Sequence, residues 1–176
     1  MIVHLIGSPC SGKSTLIKEL KKEHDDISSW DILEDFYIPL EITKNGIFNT
    51  SLYYKHQLSI DTILKIAINK AAQKKHLFIL ESSGCNKLIN RYIKISQQDV
   101  FPVILKIPSE QETRLRVIAQ LKSVEPSLQI RDLFLQKLPY LLDSLSNKYK
   151  DNDLIPKEPI NLDLAKERIN QLFTKK

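Results

Sequence analysis

Residues Gly7-Ser8-Pro9-Cys10-Ser11-Gly12-Lys13-Ser14 spell G-x-x-x-x-G-K-S directly behind the apolar run Ile2-Val3-His4-Leu5-Ile6. Few short patterns restrict a fold so tightly. The glycines let a backbone curl until successive N–H groups converge on one anion. A helix beginning where the loop ends adds its positive N-terminal pole. The spacing predicts a buried strand over Ile2–Ile6 and a helix from Ser14 to Glu23. Lys13 would then reach the outer phosphates of a nucleoside triphosphate, and Ser14 would hold Mg²⁺. Average residue usage makes a chance match in a chain of this size roughly a 0.5% event. The implied phosphate-binding residues are Gly7, Ser8, Pro9, Cys10, Ser11, Gly12, Lys13, Ser14 and Thr15.

At 176 residues the chain suits one domain with a real core. No apolar run approaches the ~18 residues of a membrane span, and with the first strand starting this early no signal peptide is expected. Of the two cysteines, Cys10 and Cys85, the first lies inside the phosphate loop, where a disulfide would obstruct. A reducing cytoplasm is therefore expected. The net charge of +5 suits polyanionic ligands. A nucleotide pocket with lysine-rich helix ends accounts for it as readily as an RNA surface would.

Strand and helix patterns alternate through most of the sequence, which predicts an α/β domain with a parallel sheet covered by helices. A second strand is expected near Ser28 to Leu33, ending in Glu34-Asp35 and lying next to the first. A long helix follows from about Ser51 to Lys74, with Leu58, Ile63, Ile66 and Ala67 toward the core. The third strand, Leu77 to Leu80, ends at Glu81 and a Ser82-Ser83-Gly84 turn, before a short helix over about Asn86 to Ile95. The fourth strand spans Phe101 to Ile107. Ser109 with Glu112 three residues on has capping-box spacing. Another helix opens at Glu125-Pro126-Ser127, and Pro139 either kinks it or begins a new one. Leu138, Leu141, Leu142, Leu145 and Tyr149 share one face. An extended segment near Leu154-Ile155 precedes a last helix from about Asp163. The stretch from Ser109 to Lys150 reads as a helical excursion.

Glu81 follows four apolar strand residues, so its carboxylate should project into the ligand crevice at the sheet's carboxyl edge. There it could order Mg²⁺ through water or accept a proton from an attacking hydroxyl. Glu34 and Asp35 offer a second carboxylate, with Asp35 preferred. Arg114, Arg116, Lys122, Arg131 and Lys137 are the cations of the excursion. With Leu115, Ile118 and Ala119 facing the core, Arg114 and Arg116 would flank that stripe about 160° apart and could not meet the same phosphate. Arg116 and Arg131 are the candidates. His4 reads as a hydrogen-bonded buried residue, and His24, His56 and His76 have no metal-ligand spacing. Trp30, Tyr53 and Tyr54 read as core aromatics or as a stacking surface for an acceptor base, and Gln57 could read a base edge.

The guanine-reading N-K-x-D is missing from both Asn86-Lys87-Leu88-Ile89 and Asn147-Lys148-Tyr149-Lys150, which argues against a small GTPase. The chain resembles the nucleoside-monophosphate kinase-like branch of P-loop kinases, which includes adenylate, cytidylate and shikimate kinases. The likeness rests on Gly7 to Thr15, the strand-end Glu81, the stretch Pro108-Ser109-Glu110 to Arg114-Leu115, and Pro159-Ile160-Asn161-Leu162-Asp163 before the last helix. That final loop is similar to the one flanking adenine in the branch. The resemblance implies a three-layer fold with a five-stranded parallel sheet, an ATP·Mg²⁺ donor and a helical lid carrying arginines. Two positions depart from it. Ile118 stands where the family often has arginine, and Ser82 replaces the arginine that follows the strand-end glutamate in deoxynucleoside kinases, where that glutamate is the base. The expectation is a cytoplasmic ATP-dependent kinase acting on a nucleotide, nucleoside or similar small acceptor, as a monomer or homodimer. The alternatives are a polynucleotide 5′-end kinase and a non-catalytic nucleotide-binding module.

Overall fold

An apolar run without alternation is the pattern of a strand buried on both faces, and Ile2–Ile6 forms such a strand, β1, in the middle of the sheet. The computed structural model describes residues 1–31, 35, 39–44, 47–73, 77–84, 100–121, 128–151 and 158–174. Within them the main sheet contains β1, β2 (Ile27–Asp31), β5 (Leu77–Ser82) and β6 (Val100–Ile104), all parallel, in the order β2-β5-β1-β6. β3 (Thr43–Lys44) and β4 (Ile47–Phe48) make a separate antiparallel pair. The helices are α1 (Lys13–Glu23), α2 (Thr50–Gln73), α3 (Glu110–Leu121), α4 (Leu128–Asp151) and α5 (Leu162–Thr174).

Side chains of a strand alternate between faces, and here the alternation sorts the core into two layers. Val3, Leu5, Leu77, Ile79, Val103 and Leu105 meet Leu16, Ile17 and Leu20 of α1 and Ala165 and Ile169 of α5. On the opposite face, Ile2, Phe78 and Leu80 meet Ile60 and Leu64 of α2, while Ile6 and Ile104 meet Leu145 and Tyr149 of α4. The two helices of the first layer are also clamped together at their ends. His24 stacks on Phe173 with ring centroids 3.8 Å apart, and Lys166 pairs with Glu19 and Glu23.

The sheet corrects several expectations. It has four strands among the described residues, not five. A single parallel bridge between Leu105 and Ile160 continues it past β6, with Ile160 N–H donating to Ile104 O and Lys106 N–H to Ile160 O, both at 2.9 Å. Pro159 lacks an N–H and α5 begins at Leu162, so only one rung fits between them. β2 lies beside β5 rather than β1, and its expected end at Leu33-Glu34 lies outside the described residues. β6 stops at Ile104 instead of Ile107, because its partner β1 leaves the sheet after Ile6.

The helical faces differ as well. α2 carries apolar residues all round, so more than one stripe competes for the sheet. The winner is Ile60 and Leu64 with Tyr53 partly buried behind them, while Leu58 is 80% exposed and Ile63 and Ile66 are exposed too. α4 runs unbroken through Pro139. Its buried face holds Leu138, Leu142, Leu145 and Tyr149, with Leu141 partly buried against the same cluster. The latter half of the Ser109–Lys150 excursion is therefore core. The expected elements at Asn86–Ile95 and Leu154-Ile155, the Glu125-Pro126-Ser127 helix opening, Cys85, His76 and the side chain of Ala67 lie outside the described residues.

Candidate active site

β1 and β5 end side by side: Ile6 pairs with Ser82, and the Gly7 N–H donates to Ser82 O at 3.1 Å. The Gly7–Ser14 loop thus springs from the carboxyl edge of the sheet's interior, where open α/β sheets hold ligands. Its two glycines answer steric demands. A Cβ on Gly7 would stand 2.3 Å from Ser11 Oγ. Gly12, which caps α1, has φ 97°, and a Cβ there would come within 2.7 Å of Leu162. Between them Cys10 also takes a left-handed backbone, at φ 60°. Burial pushes the Cys10 thiol up, against the opposing pull of Lys13 and Arg116. The hydroxyls of Ser8 and Ser11 are buried and have no hydrogen-bond partner among the described residues. Buried polar atoms are nearly always satisfied, so orphans here fit a loop that a polar ligand completes.

Lys13 folds back over the loop. Its Nζ donates to Gly7 O at 3.1 Å and Ser8 O at 3.0 Å, and lies 3.7 Å from Glu81 Oε1. Ser14 Oγ donates to the same carboxylate oxygen at 3.4 Å. Burial lowers the Lys13 pKa below the usual lysine value, while the charges of Glu81 and Asp31 oppose that shift. Glu81 itself is buried at the end of β5.

Asp31 is the acid that sequence reasoning missed, because its importance comes from the register of β2 against β5. Asp31 pairs in register with Glu81, and directly opposed residues of neighbouring strands share a face. Two carboxylates therefore stand level beside Lys13. The sequence signal was weak: Asp31 falls inside a strand-like run, with Ile32-Leu33 after it, whereas Glu81 closes four apolar residues. Asp35 is exposed, beyond the end of β2, and its Oδ2 accepts the Asp31 N–H at 2.7 Å. Glu34 lies outside the described residues.

α3 brings one arginine to this edge. Its start is a capping box: Glu112 N–H donates to Ser109 Oγ and Ser109 N–H to Glu112 Oε2. The face turned inward carries Thr113 and Val117, whereas Leu115 is 63% exposed and Ala119 is exposed, contrary to expectation. Thr113 can be buried because its hydroxyl donates to Ser109 O at 3.0 Å, which leaves its methyl for packing. With that face inward, Arg116 Nη1 donates to Cys10 O at 2.7 Å, while Arg114 pairs with Glu110 along its own helix. Arg131 belongs to α4, but its side chain, like the whole of Lys122, lies outside the described residues. Lys137 is exposed.

The other singled-out residues have structural partners. His4 is buried with Nε2 2.7 Å from Ser82 Oγ, and His24 bonds Asn170. Trp30 packs edge-on against Phe78, and Tyr53 stands edge-on to the exposed Tyr54. Gln57 is half-buried on α2. Among the described residues no three His, Cys, Asp or Glu side chains cluster as a metal cage, and no helix is long and apolar enough to cross a membrane. Mg²⁺ needs no such cage, since one or two carboxylates and the phosphates of a substrate suffice. The hard oxygen donors of Ser14, Glu81 and Asp31 fit it.

Comparison with known proteins supports the architecture. No family profile matches the chain. A UPF0200 protein of Thermococcus kodakarensis is 33% identical over 73 residues, 40% of each chain, so the match spans well under half of that relative. A chain of the Pnkp1/Rnl/Hen1 RNA repair complex superimposes with a TM-score of 0.58 at 13% identity, over 84% of this chain and 45% of that one. Deoxyadenosine kinase from M. mycoides, solved with bound dATP, superimposes with a TM-score of 0.55 at 16% identity, over 99% of this chain and 98% of that one. The chain thus has an α/β fold, with a parallel sheet and flanking helices, similar to that of P-loop kinases.

Proposed function

We propose that this protein is an ATP-dependent kinase that moves the γ-phosphate of ATP to a small acceptor of the nucleoside or nucleotide class. The observation that carries the reading is the convergence of Lys13, Ser14 and Glu81 at the mouth of a loop whose Ser8 and Ser11 hydroxyls are buried without partners. The loop amides and Lys13 would bind the β- and γ-phosphates, with the dipole of α1 behind them. Ser14, Glu81 and Asp31 would hold Mg²⁺, which when bound neutralises charge on the transferring group. Lys13 would exchange its bonds to Gly7 O and Ser8 O for phosphate oxygens. Arg116, held at the rim by Cys10 O, and Arg131 are assigned to the charge that develops during transfer. Glu81 is already committed to Lys13 and Ser14, so the acceptor's proton is assigned to Asp35, the exposed carboxylate that the Asp31 N–H orients. The loop Pro159–Asp163 is assigned to the adenine side, where Leu162 packs on Gly12.

The test is ADP release from Mg·ATP across a panel of nucleosides, nucleotides and a 5′-hydroxyl oligonucleotide. A small acceptor should stimulate release. The oligonucleotide belongs in the panel because one fold relative is part of an RNA repair complex. A preference for it, with steep salt dependence, would replace the small acceptor, and nucleotide binding without release on any acceptor would leave a regulatory module. In the active assay Asp35→Asn should cost about 10²–10⁴-fold, the range for general-base help. The loss in Glu81→Gln should be partly recovered at high Mg²⁺. A larger loss in Asp31→Asn than in Asp35→Asn would move the base to Asp31.

A further inference from the structure

A histidine in the interior of a buried parallel strand is costly where valine or isoleucine would serve. His4 is 1% exposed, on the face of β1 that it shares with Ile2 and Ile6, between the core clusters under α2 and α4. A polar ring is tolerated there when it is hydrogen-bonded, and its Nε2 lies 2.7 Å from Ser82 Oγ. The identity of that partner gives the contact its interest. Ser82 follows Glu81 directly. Its hydroxyl also accepts the Gly84 N–H at 2.9 Å, and its carbonyl accepts the Gly7 N–H at 3.1 Å. One residue thus joins the end of β5, the first residue of the phosphate loop and the turn that leaves the sheet. His4 fixes the side chain at that junction from two residues back along β1.

We propose that His4 is a positioning residue for phosphoryl transfer: by anchoring Ser82 it holds the Glu81 carboxylate in register with Lys13 and Ser14. The inference rests on the kinase reading above. Without the imidazole, the Ser82 hydroxyl can turn, the Gly84 N–H loses a fixed acceptor, and the end of β5 gains freedom where Glu81 must face Ser14. An apolar side chain would pack in the same space but could not anchor the hydroxyl. The neutral ring that burial enforces can serve as either partner of that bond.

The experiment compares His4→Leu, His4→Gln, Ser82→Ala and His4→Leu/Ser82→Ala for Mg·ATP affinity, kcat and KM. Partners that orient metal and phosphate groups typically contribute about 10–100-fold. His4→Leu and Ser82→Ala should each weaken Mg·ATP binding and kcat by about tenfold. The KM for the acceptor should change little. His4→Gln places an amide near the Nε2 position and should recover most of the loss. The double variant should be no worse than Ser82→Ala, because both substitutions break one bond. Ser82→Ala removes a single oxygen and keeps the test open should His4→Leu not fold. Normal Mg·ATP affinity and kcat in a folded Ser82→Ala, or losses that add in the double variant, would overturn the proposal. Mg·ATP affinity is read without turnover, so wild-type protein inactive on every acceptor would sink the kinase reading alone.

Discussion

The phosphate loop and the α3–α4 stretch face the same edge of the sheet but are built differently. In the loop, backbone geometry sets each position: the Gly7 N–H sits on Ser82 O, Gly12 turns left-handed, and Lys13 is drawn onto the Gly7 and Ser8 carbonyls. In α3 and α4 packing sets each position, through the faces that Thr113, Val117, Leu145 and Tyr149 turn inward. A backbone-built site tolerates little variation in sequence. A packing-built one delivers a side chain such as Arg116 only as accurately as its helix is seated. The loop should therefore carry most of the binding and the helices a smaller adjustable share.

The largest expected effect falls in the loop. Lys13→Ala should reduce transfer by about 10²–10³-fold, the cost of removing a preorganised charge from a transition state. The same substitution leaves the buried Glu81 carboxylate without the Lys13 cation, so thermal stability should also fall, and binding must be compared below the variant's melting point. Turnover close to wild type would remove the loop from the chemistry and collapse the contrast with the helices.

The helical stretch should show its weight in stability. Leu145→Ala empties a site packed against Ile6 and Ile104 and should cost about 2–5 kcal/mol by denaturant unfolding. Leu115→Ala should stay within about 0.5 kcal/mol, because that side chain is mostly exposed. The pair also bears on motion. If a lid closes, it should move α3 and the start of α4, with amides around Leu145 protected from hydrogen exchange in free and ATP-bound protein alike. Deprotection there on binding would mean that the whole excursion moves.

The same division explains what could be read from the sequence. Gly7 to Ser14 encodes a backbone conformation, so the loop, β1 and α1 followed from eight residues, and Glu81 followed from the strand before it. The inward face of α3 did not follow. Thr113 counts as polar until its hydroxyl is seen bonded to Ser109 O, and Leu115 counts as core until the helix is seen to turn it outward. On α2 the choice between Ile60-Leu64 and Leu58-Ile66 depends on what the helix meets, Ile42 and Phe78 among them. Asp31 was missed for a similar reason. Its place level with Glu81 depends on which strand β2 pairs with and in what register.

Acid should test the sheet beneath the loop. Burial lowers the His4 pKa from 6.5 to about 4. Between those values the unfolded chain binds the proton and the folded chain does not, so stability rises with pH across that window. The contribution is full above the unfolded value and is lost as pH falls toward about 4, by roughly 3 kcal/mol in all. Denaturant midpoints for wild type and His4→Gln from pH 7 to pH 4 measure it. The variant should lose less stability over the window, and identical profiles would mean that His4 titrates normally in the folded protein.

The smallest expected effect separates two arginines on one helix. Arg114 and Arg116 have similar exposure, and each has a glutamate one turn away. Arg114 is held close by Glu110 at 2.7 Å, whereas Arg116 stands 4.0 Å from Glu112 and bridges to Cys10 O across 106 positions of sequence. An i,i+4 pair on a solvated helix contributes a few tenths of a kcal/mol, so Arg114→Ala should leave transfer unchanged. Arg116→Ala removes a cation from the phosphate rim and should lower kcat by about tenfold, the scale of one charge-assisted hydrogen bond. Arg116→Lys separates two causes: a point charge keeps the attraction but loses the planar fork. If Lys restores activity fully, long-range charge suffices and the Cys10 contact is incidental. If Lys behaves like Ala, the guanidinium geometry matters and the seating of α3 on Thr113 and Val117 is what delivers it. Equal losses in Arg114→Ala and Arg116→Ala would show that the helix acts through its net charge alone, and the distinction between a backbone-built loop and a packing-built rim would lose its functional meaning.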